Sequence, residues 1–293
     1  MNTTTAIQDK ARELLSGGQV TCVIGYEVGP RGRTRPAFVT RADDVARLVW
    51  NQECTHNLTT YLRDRLRPKG HGQTAEPPGR VAVVVKPCDS RAIHVLLAEN
   101  QFQRDQVYLI GVACEGIRQG AGSGQVTDAW QRRCQACAER LPVVYDTLIG
   151  EPPEVGQVSD PWGADLARLE AMTPAERASF WLSQFDRCIR CYACRQACPM
   201  CNCPTCLYER DDSLWVAMRI APDEKRAFHL GRAYHLAGRC IGCDECERVC
   251  PMNIPISLLN RKLASEMEAA FGFRAGLAPV LSPITTTLGG EEV

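Results

Sequence analysis

The chain has 293 residues, with 34 lysines and arginines against 34 aspartates and glutamates. The formal charge is zero, no basic stripe argues for nucleic acid, and no acidic tail argues for disorder. The length suits two domains with separate cores, and the longest apolar runs fall far short of a membrane span.

Residues 1–5 lack the charged and apolar regions of a secretory signal, so a soluble cytoplasmic protein is expected. Seventeen cysteines is an odd number, and eight of them sit in two tight runs. Metal ligation explains that pattern better than disulfides do.

Residues 1–150 read as an α/β domain with a partly parallel sheet. Thr5-Ala-Ile-Gln8 fits a capping box, Ile7, Ala11, Leu14 and Leu15 form an apolar stripe, and Gly17-Gly18 is a stop, so an amphipathic helix opens the chain. Residues 21–28 read as a strand in which Cys22 serves as a small buried hydrophobe. Residues 29–36 form a loop or hairpin, and residues 43–50 and 54–66 look helical, the second segment starting with Cys54-Thr-His-Asn57. His56, His71 and His94 have no partner at ligand spacing and read as surface or satisfied core histidines.

Residues 81–86 (VAVVVK) are a β-branched run ending in Pro87-Cys88-Asp89-Ser90. Helical character follows over residues 91–100, and a second apolar run, residues 107–113, ends at Cys114. Strand, helix, strand is a crossover that makes the two strands parallel, so Cys88 and Cys114 leave the sheet at the same carboxyl edge, where open α/β sheets place their ligands. Gly120-Ala-Gly-Ser-Gly124 lacks the flanking strand and helix of a nucleotide cradle and reads as a loop. Residues 130–140 then bring Cys134 and Cys137, and residues 143–149 offer a last strand. Four thiols able to converge on one edge suggest a metal centre. Zinc takes four thiolates as well as iron does; the chemistry of the second domain favours iron and sulfide.

Residues 151–161 are a polar, proline-containing linker, and residues 162–273 read as mainly helical, with Thr173-Pro-Ala-Glu176 as the capping box of a helix reaching residue 185. The sequence then carries Cys188-x-x-Cys191-x-x-Cys194-x-x-x-Cys198-Pro199 and Cys240-x-x-Cys243-x-x-Cys246-x-x-x-Cys250-Pro251. In this two-cluster pattern the first three thiolates of each run hold one [4Fe-4S] cube and the fourth crosses to the other. Cys188, Cys191, Cys194 and Cys250 are therefore expected on one cluster, and Cys240, Cys243, Cys246 and Cys198 on its neighbour. Residues 213–220, 223–237 and 256–271 have helical character, the last with Leu259, Leu263, Met267 and Phe271 on one face. Cys201, Cys203 and Cys206 follow the first run closely; with Cys54 they would make a fourth cube, and a mononuclear metal or free thiols are the other readings. Residues 274–293 form a tail expected to be disordered or to wrap a partner.

The widely spaced double motif resembles the α-helical ferredoxin domains of heterodisulfide reductase and succinate dehydrogenase iron–sulfur subunits. Residues 50–62, Val85-Lys-Pro-Cys-Asp-Ser-Arg-Ala-Ile93, Val112-Ala-Cys-Glu-Gly116 and Cys134-Gln-Ala-Cys137 resemble the beta-subunit family of deazaflavin-coenzyme-reducing hydrogenases and formate dehydrogenases. That resemblance implies that Cys88, Cys114, Cys134 and Cys137 ligate a third [4Fe-4S] cluster, and that the partners are other subunits of a hydrogenase, formate dehydrogenase or heterodisulfide-reductase-type complex of anaerobic metabolism. Family members acting on a deazaflavin also bind FAD. If a flavin is present, Lys86, Ser90 and Arg91 at the helix start could meet its phosphates, the other reading being that Lys86 and Arg91 neutralise an anionic cluster.

No nucleophile with its base and no acid and base pair stands out. The expected function is an iron–sulfur electron-transfer subunit of an oxidoreductase complex, and the alternative is a flavin-containing subunit that exchanges hydride with a deazaflavin or nicotinamide and feeds its clusters.

Overall fold

In the computed structural model the chain divides into two compact units, Met1–Ser159 with Gly276–Val280, and Asp160–Ala275 with Leu281–Val293. The structure describes residues 2–66, 79–121, 125–154, 156, 158–210, 212 and 216–286. The readings at His71, at the glycine-rich residues 122–124, at residues 213–215 and at residues 287–293 lie outside them.

The amino-terminal unit opens with α1 (Thr3–Ser16), which buries Ile7, Ala11 and Leu14. Its cap is Asn2, whose side chain accepts from the Thr4 amide at 3.0 Å, so the helix starts earlier than the box at Thr5 predicts. β1 (Cys22–Val28) turns back into β2 (Thr34–Val39) as an antiparallel hairpin. Two further parallel strands, β3 (Val81–Val85) and β4 (Val107–Val112), and the short parallel β5 (Thr147–Ile149) complete a sheet of order β2-β1-β3-β4-β5. Every residue of β3 is buried, which accounts for its uninterrupted apolar run.

Residues 43–50 and 54–66 are less helical than their pattern suggests. A 3₁₀ turn covers Ala42–Arg47, another covers Leu58–Tyr61, and α2 is only Leu62–Leu66. The Asn51 side chain takes the Glu53 amide and that of Asn57 takes the Thr59 amide, local bonds that compete with helix. The last strand is shorter than residues 143–149 because the Val143 amide donates to Ser90 Oγ instead of a ladder partner. The tail also differs from expectation. Gly276–Val280 belongs to this unit, with Gly276 O 3.1 Å from His94 Nδ1. Gly276 has φ +78° and lies against the Arg91 carbonyl, a place no side chain fits.

α3 (Pro87–Ala98) begins four residues before the expected Arg91, with proline at its first position and the Asp89 carboxylate accepting the Lys86 amide at 3.0 Å. Cys88 is thereby in the first helical turn. α4 (Arg132–Gln135) carries Cys134.

The second unit is helical: α5 (Gly163–Ala171), α6 (Pro174–Asp186), α7 (Ala193–Gln196), α8 (Pro222–Leu236), α9 (Glu245–Arg248), α10 (Ile256–Phe271) and α11 (Pro283–Thr286). The Thr173 box forms, with the Thr173 amide donating to Glu176 at 2.8 Å and the Glu176 amide donating to Thr173 Oγ1 at 3.3 Å. Residues 216–220 are irregular, because the Arg190 guanidinium takes the carbonyls of Ala217 and Arg219. α10 buries Ile256, Leu258, Asn260 and Met267 while Phe271 is exposed, a face rotated from the apolar stripe because Ser257 and Asn260 are drawn inward by polar partners. Among the described residues no helix is long and apolar enough to cross a membrane.

Phe228 of α8 anchors this core, edge-on to Tyr192 at 5.3 Å and to Tyr208 at 5.8 Å, together with Ile254, Ile256 and three cysteines. Gly231, one turn on, leaves room for the Tyr208 hydroxyl where any Cβ would collide with it. Replacing Gly231 by alanine is expected to displace Tyr208 and lower unfolding free energy by about 1–3 kcal/mol, measured as a lower denaturant midpoint at unchanged slope.

Candidate metal centres

Because β3 and β4 run parallel with Val85 opposite Gly111, the chain leaves both at one sheet edge. There the first turn of α3 presents Cys88, the segment after β4 presents Cys114, and α4 with its following residue pair presents Cys134 and Cys137. The four lie within electrostatic reach of one another: Cys88 with Cys114, Cys114 with Cys134 and Cys137, and Cys137 with Cys134. Burial pushes the Cys88 and Cys137 thiols up and Cys114 up to about 12, and each neighbouring thiolate adds to the effect. Thiols raised in this way give up their protons when a metal ion binds among them. The donor set therefore fits an iron–sulfur cluster. The Ile117 amide already points at Cys134 Sγ, at 3.3 Å.

Two cations stand behind this site. Lys86, 1% exposed, pairs with Asp89 at 2.9 Å, donates to the His56 carbonyl at 2.7 Å and also bonds the Tyr26 hydroxyl. Arg133 is buried and donates to Thr55 O and Oγ1 at 2.8 and 2.7 Å. Both lower the cost of a Cys88 thiolate. Ser90 is also fully buried, between Pro87 O and the Val143 amide. Lys86 and Ser90 are thus both buried and hydrogen-bonded within the unit. Arg91 is half-buried, 3.8 Å from Glu139.

In the second unit the cysteines gather in two sets. Cys188 is grouped with Cys191 and Cys250, and Cys194 with Cys188 and Cys250. Cys198 is grouped with Cys240, Cys243 and Cys246, and these four line one cavity together with Arg232, Asn260 and Arg261. Cys198 therefore lines the cavity of the second run, and Cys250 lies near Cys188 and Cys194 of the first, with Cys194 also within reach of Cys198. Burial raises Cys194 to about 11 and pushes Cys188, Cys240, Cys243 and Cys246 upward. This donor chemistry, too, fits clusters that take thiolates.

The two runs share a backbone trick. Arg190 and Gly242, two residues after the first cysteine of each run, have φ of 50° and 69°, and Tyr192 and Asp244, two further on, have φ of 58° and 52°. These left-handed turns aim amides at sulfur: the Arg190 amide donates to Cys188 Sγ at 3.3 Å, and the Gly242 amide bonds Cys240. A non-glycine residue in this conformation costs about 1–2 kcal/mol, which marks the loops as held for a purpose.

The remaining cysteines behave differently. Cys22 is buried as a small hydrophobe. Cys54 is fully enclosed, its sulfur accepting from the Asn51 amide at 3.4 Å, and burial raises it to about 11. Cys201 bonds to Cys198 and Arg232, Cys206 packs against the Phe228 cluster, and Cys203 is exposed. No cysteine is in a disulfide. Among the described residues no three His, Cys, Asp or Glu side chains draw close enough to hold a single metal ion. Lys86 stands where the sequence offers it as a cation beside the first cluster, whereas Arg133, Arg232 and Asn260 carry no sign of a site role in the sequence, because nothing in their local pattern says that they are buried against sulfur.

Residues 184–254 match a family model described as a 4Fe-4S dicluster domain. The second unit carries a 4Fe-4S dicluster domain. Beyond it, the chain is similar to the F420-dependent formate dehydrogenase subunit beta of Methanocaldococcus jannaschii, at 21% identity over 85% of each chain. It is also similar to the F420-dependent formate dehydrogenase 1 subunit beta of Methanococcus maripaludis, at 23% identity over 87% of this chain and 85% of that one. The dicluster domain and these relatives together support an iron–sulfur electron-transfer protein of the oxidoreductase class.

The buried Lys86–Asp89 pair yields a test of how the first site is built. Replacing Lys86 by methionine alone leaves the Asp89 carboxylate buried without its partner and should cost about 3–5 kcal/mol, whereas Lys86→Met with Asp89→Asn should recover most of it. Chemical denaturation of the two single variants and the double variant measures the coupling.

Proposed function

We propose that this chain is the electron-relay subunit of a redox complex and that it holds three [4Fe-4S] clusters. The ligands are Cys188, Cys191, Cys194 and Cys250 for one, Cys240, Cys243, Cys246 and Cys198 for the second, and Cys88, Cys114, Cys134 and Cys137 for the third. The observation that supports this reading best is that, inside a dicluster domain, Cys198 lies against the cysteines of the second run and Cys250 near Cys188 and Cys194 of the first. When bound, such clusters supply one-electron storage and transfer. The chain's own part is to bury the sulfurs, offset their charge and direct N–H groups at them, as the amides of Ile117 and Arg190 and the Asn260 side chain do.

The relatives are subunits of formate dehydrogenases, which supports partner subunits of that kind, and a reducing compartment such as the cytoplasm suits a chain whose cysteines are all free. Hydrogenase and heterodisulfide-reductase-type partners fit the same wiring.

A flavin-containing subunit is the second reading, and one feature of the first unit favours it. A cavity of about 290 Å³ opens beside Cys114, lined by Trp50, Asn51, Gln52, Glu115 and Glu151. It lies near the lower end of ligand-pocket sizes and is large enough for a fused ring system next to the cluster cysteines. With Lys86 and Ser90 buried, the phosphates of FAD would need other partners.

Anaerobically prepared protein should contain about twelve irons and twelve acid-labile sulfides per chain. Cys88→Ala should remove a third of the iron while sparing the paramagnetic signals of the helical pair; full retention would sink the assignment of the first site. Acid precipitation tells the two readings apart. A yellow chromophore released at about one per chain supports the flavin-containing subunit, and a colourless supernatant supports the relay alone.

A further inference from the structure

Several arginines of the helical unit lie in or beside the cysteine sets. Arg261 pairs with Asp244 at 2.9 Å, Arg190 with Glu224 at 3.3 Å and Arg195 with Glu209 at 2.9 Å, so each is largely cancelled by a carboxylate. Arg232 is not. It is 4% exposed, meets no carboxylate among the described residues, and its Nε has no hydrogen-bond partner. Its guanidinium donates to the Cys194 carbonyl at 3.1 Å, bonds Cys201, and lines the cavity formed by Cys198, Cys240, Cys243 and Cys246. Cys194 belongs to one set and the cavity to the other, so this single charge faces both.

A buried full charge with no carboxylate partner is costly, and the groups that face Arg232 are cysteine sulfurs, Cys198 first, so the fold keeps it where negative charge gathers on sulfur. Clusters ligated by four thiolates are anionic in both redox states and more so when reduced. Placed between two of them, a fixed cation stabilises the reduced form of each and weakens the repulsion that the first electron exerts on the second. We propose that Arg232 is a positioning residue that sets the potentials of both clusters of the helical unit together, keeping them matched so that an electron passes between them in either direction. The inference rests on the cluster assignment above. It adds a role for a residue that ligates nothing and that comes from the helix inserted between the two cysteine runs.

The test is a potentiometric titration of the full chain, cluster-loaded, followed by paramagnetic resonance, for the unaltered protein and for Arg232→Gln, Arg232→Met and Arg232→Lys. Iron is counted in each. Both neutral variants should keep the iron content of the unaltered chain. At a fixed potential the reduced-to-oxidised ratio of both clusters should fall at least tenfold, equivalent to a shift of about 59 mV for a one-electron couple. The lysine variant should stay within threefold of the unaltered ratio. The proposal is overturned if the neutral variants keep their iron and shift less than tenfold, if only one cluster shifts, if lysine shifts as far as glutamine, or if either neutral variant loses its clusters, which would make the role structural. An unaltered chain without iron would instead refute the cluster assignment itself, so the two failures are told apart by the iron count alone.

Discussion

Thiolates cannot be crowded together in a low-dielectric interior without a cation among them. Burial and mutual repulsion favour the protonated thiol, and for Cys114 the push reaches about 12, whereas Cys198, bonded by Cys201 and facing Arg232, is lowered to about 5. Three groups of cysteines in this chain are crowded in this way, and the fold around each one supplies what a bound cluster would need. Amides point at sulfur, cations sit behind the ligands, and irregular backbone is pinned by side-chain bonds.

The two units meet that demand by different routes. The amino-terminal unit relies on parallel strands, since β3 and β4 deliver their following segments to one edge and the buried Lys86–Asp89 pair fixes the start of α3 there. The helical unit relies on short loops of left-handed conformation, repeated in both cysteine runs although the residues that adopt it differ. The long segment between the runs then earns its place by packing. α8 brings Phe228 to the centre of the core and Arg232 to the cysteines, and the Arg190 guanidinium gathers the carbonyls of Tyr208, Ala217 and Arg219 around the first run.

Much of this was legible in the sequence, and the limits have physical reasons. The β-branched run of β3, the threonine capping box of α6 and the extent of α10 were readable because each is fixed by local periodicity or local hydrogen bonds. The short turns around residues 42–66 were misread as helices, since asparagine side chains there divert amides from the helical pattern. The buried face of α10 was misjudged because Asn260 turns inward toward Cys246, a contact spanning distant parts of the chain. The cysteine spacing exposes candidate ligands, and the helix start at Cys88 points to Lys86 as a cation, but Arg133 and Arg232 are not exposed by it. Burial of Lys86, Arg133 and Arg232 is a tertiary event with no local signature.

The return of Gly276–Val280 to the amino-terminal unit has a bearing on how the protein is made. During synthesis this unit lacks the piece that covers His94 and the Arg91 carbonyl until the helical segment that precedes Gly276 has been translated. All of the ferredoxin-motif cysteines are translated before that piece arrives. The order of assembly is therefore built into the connectivity: the amino-terminal unit is begun first and is completed only after the helical unit has been translated.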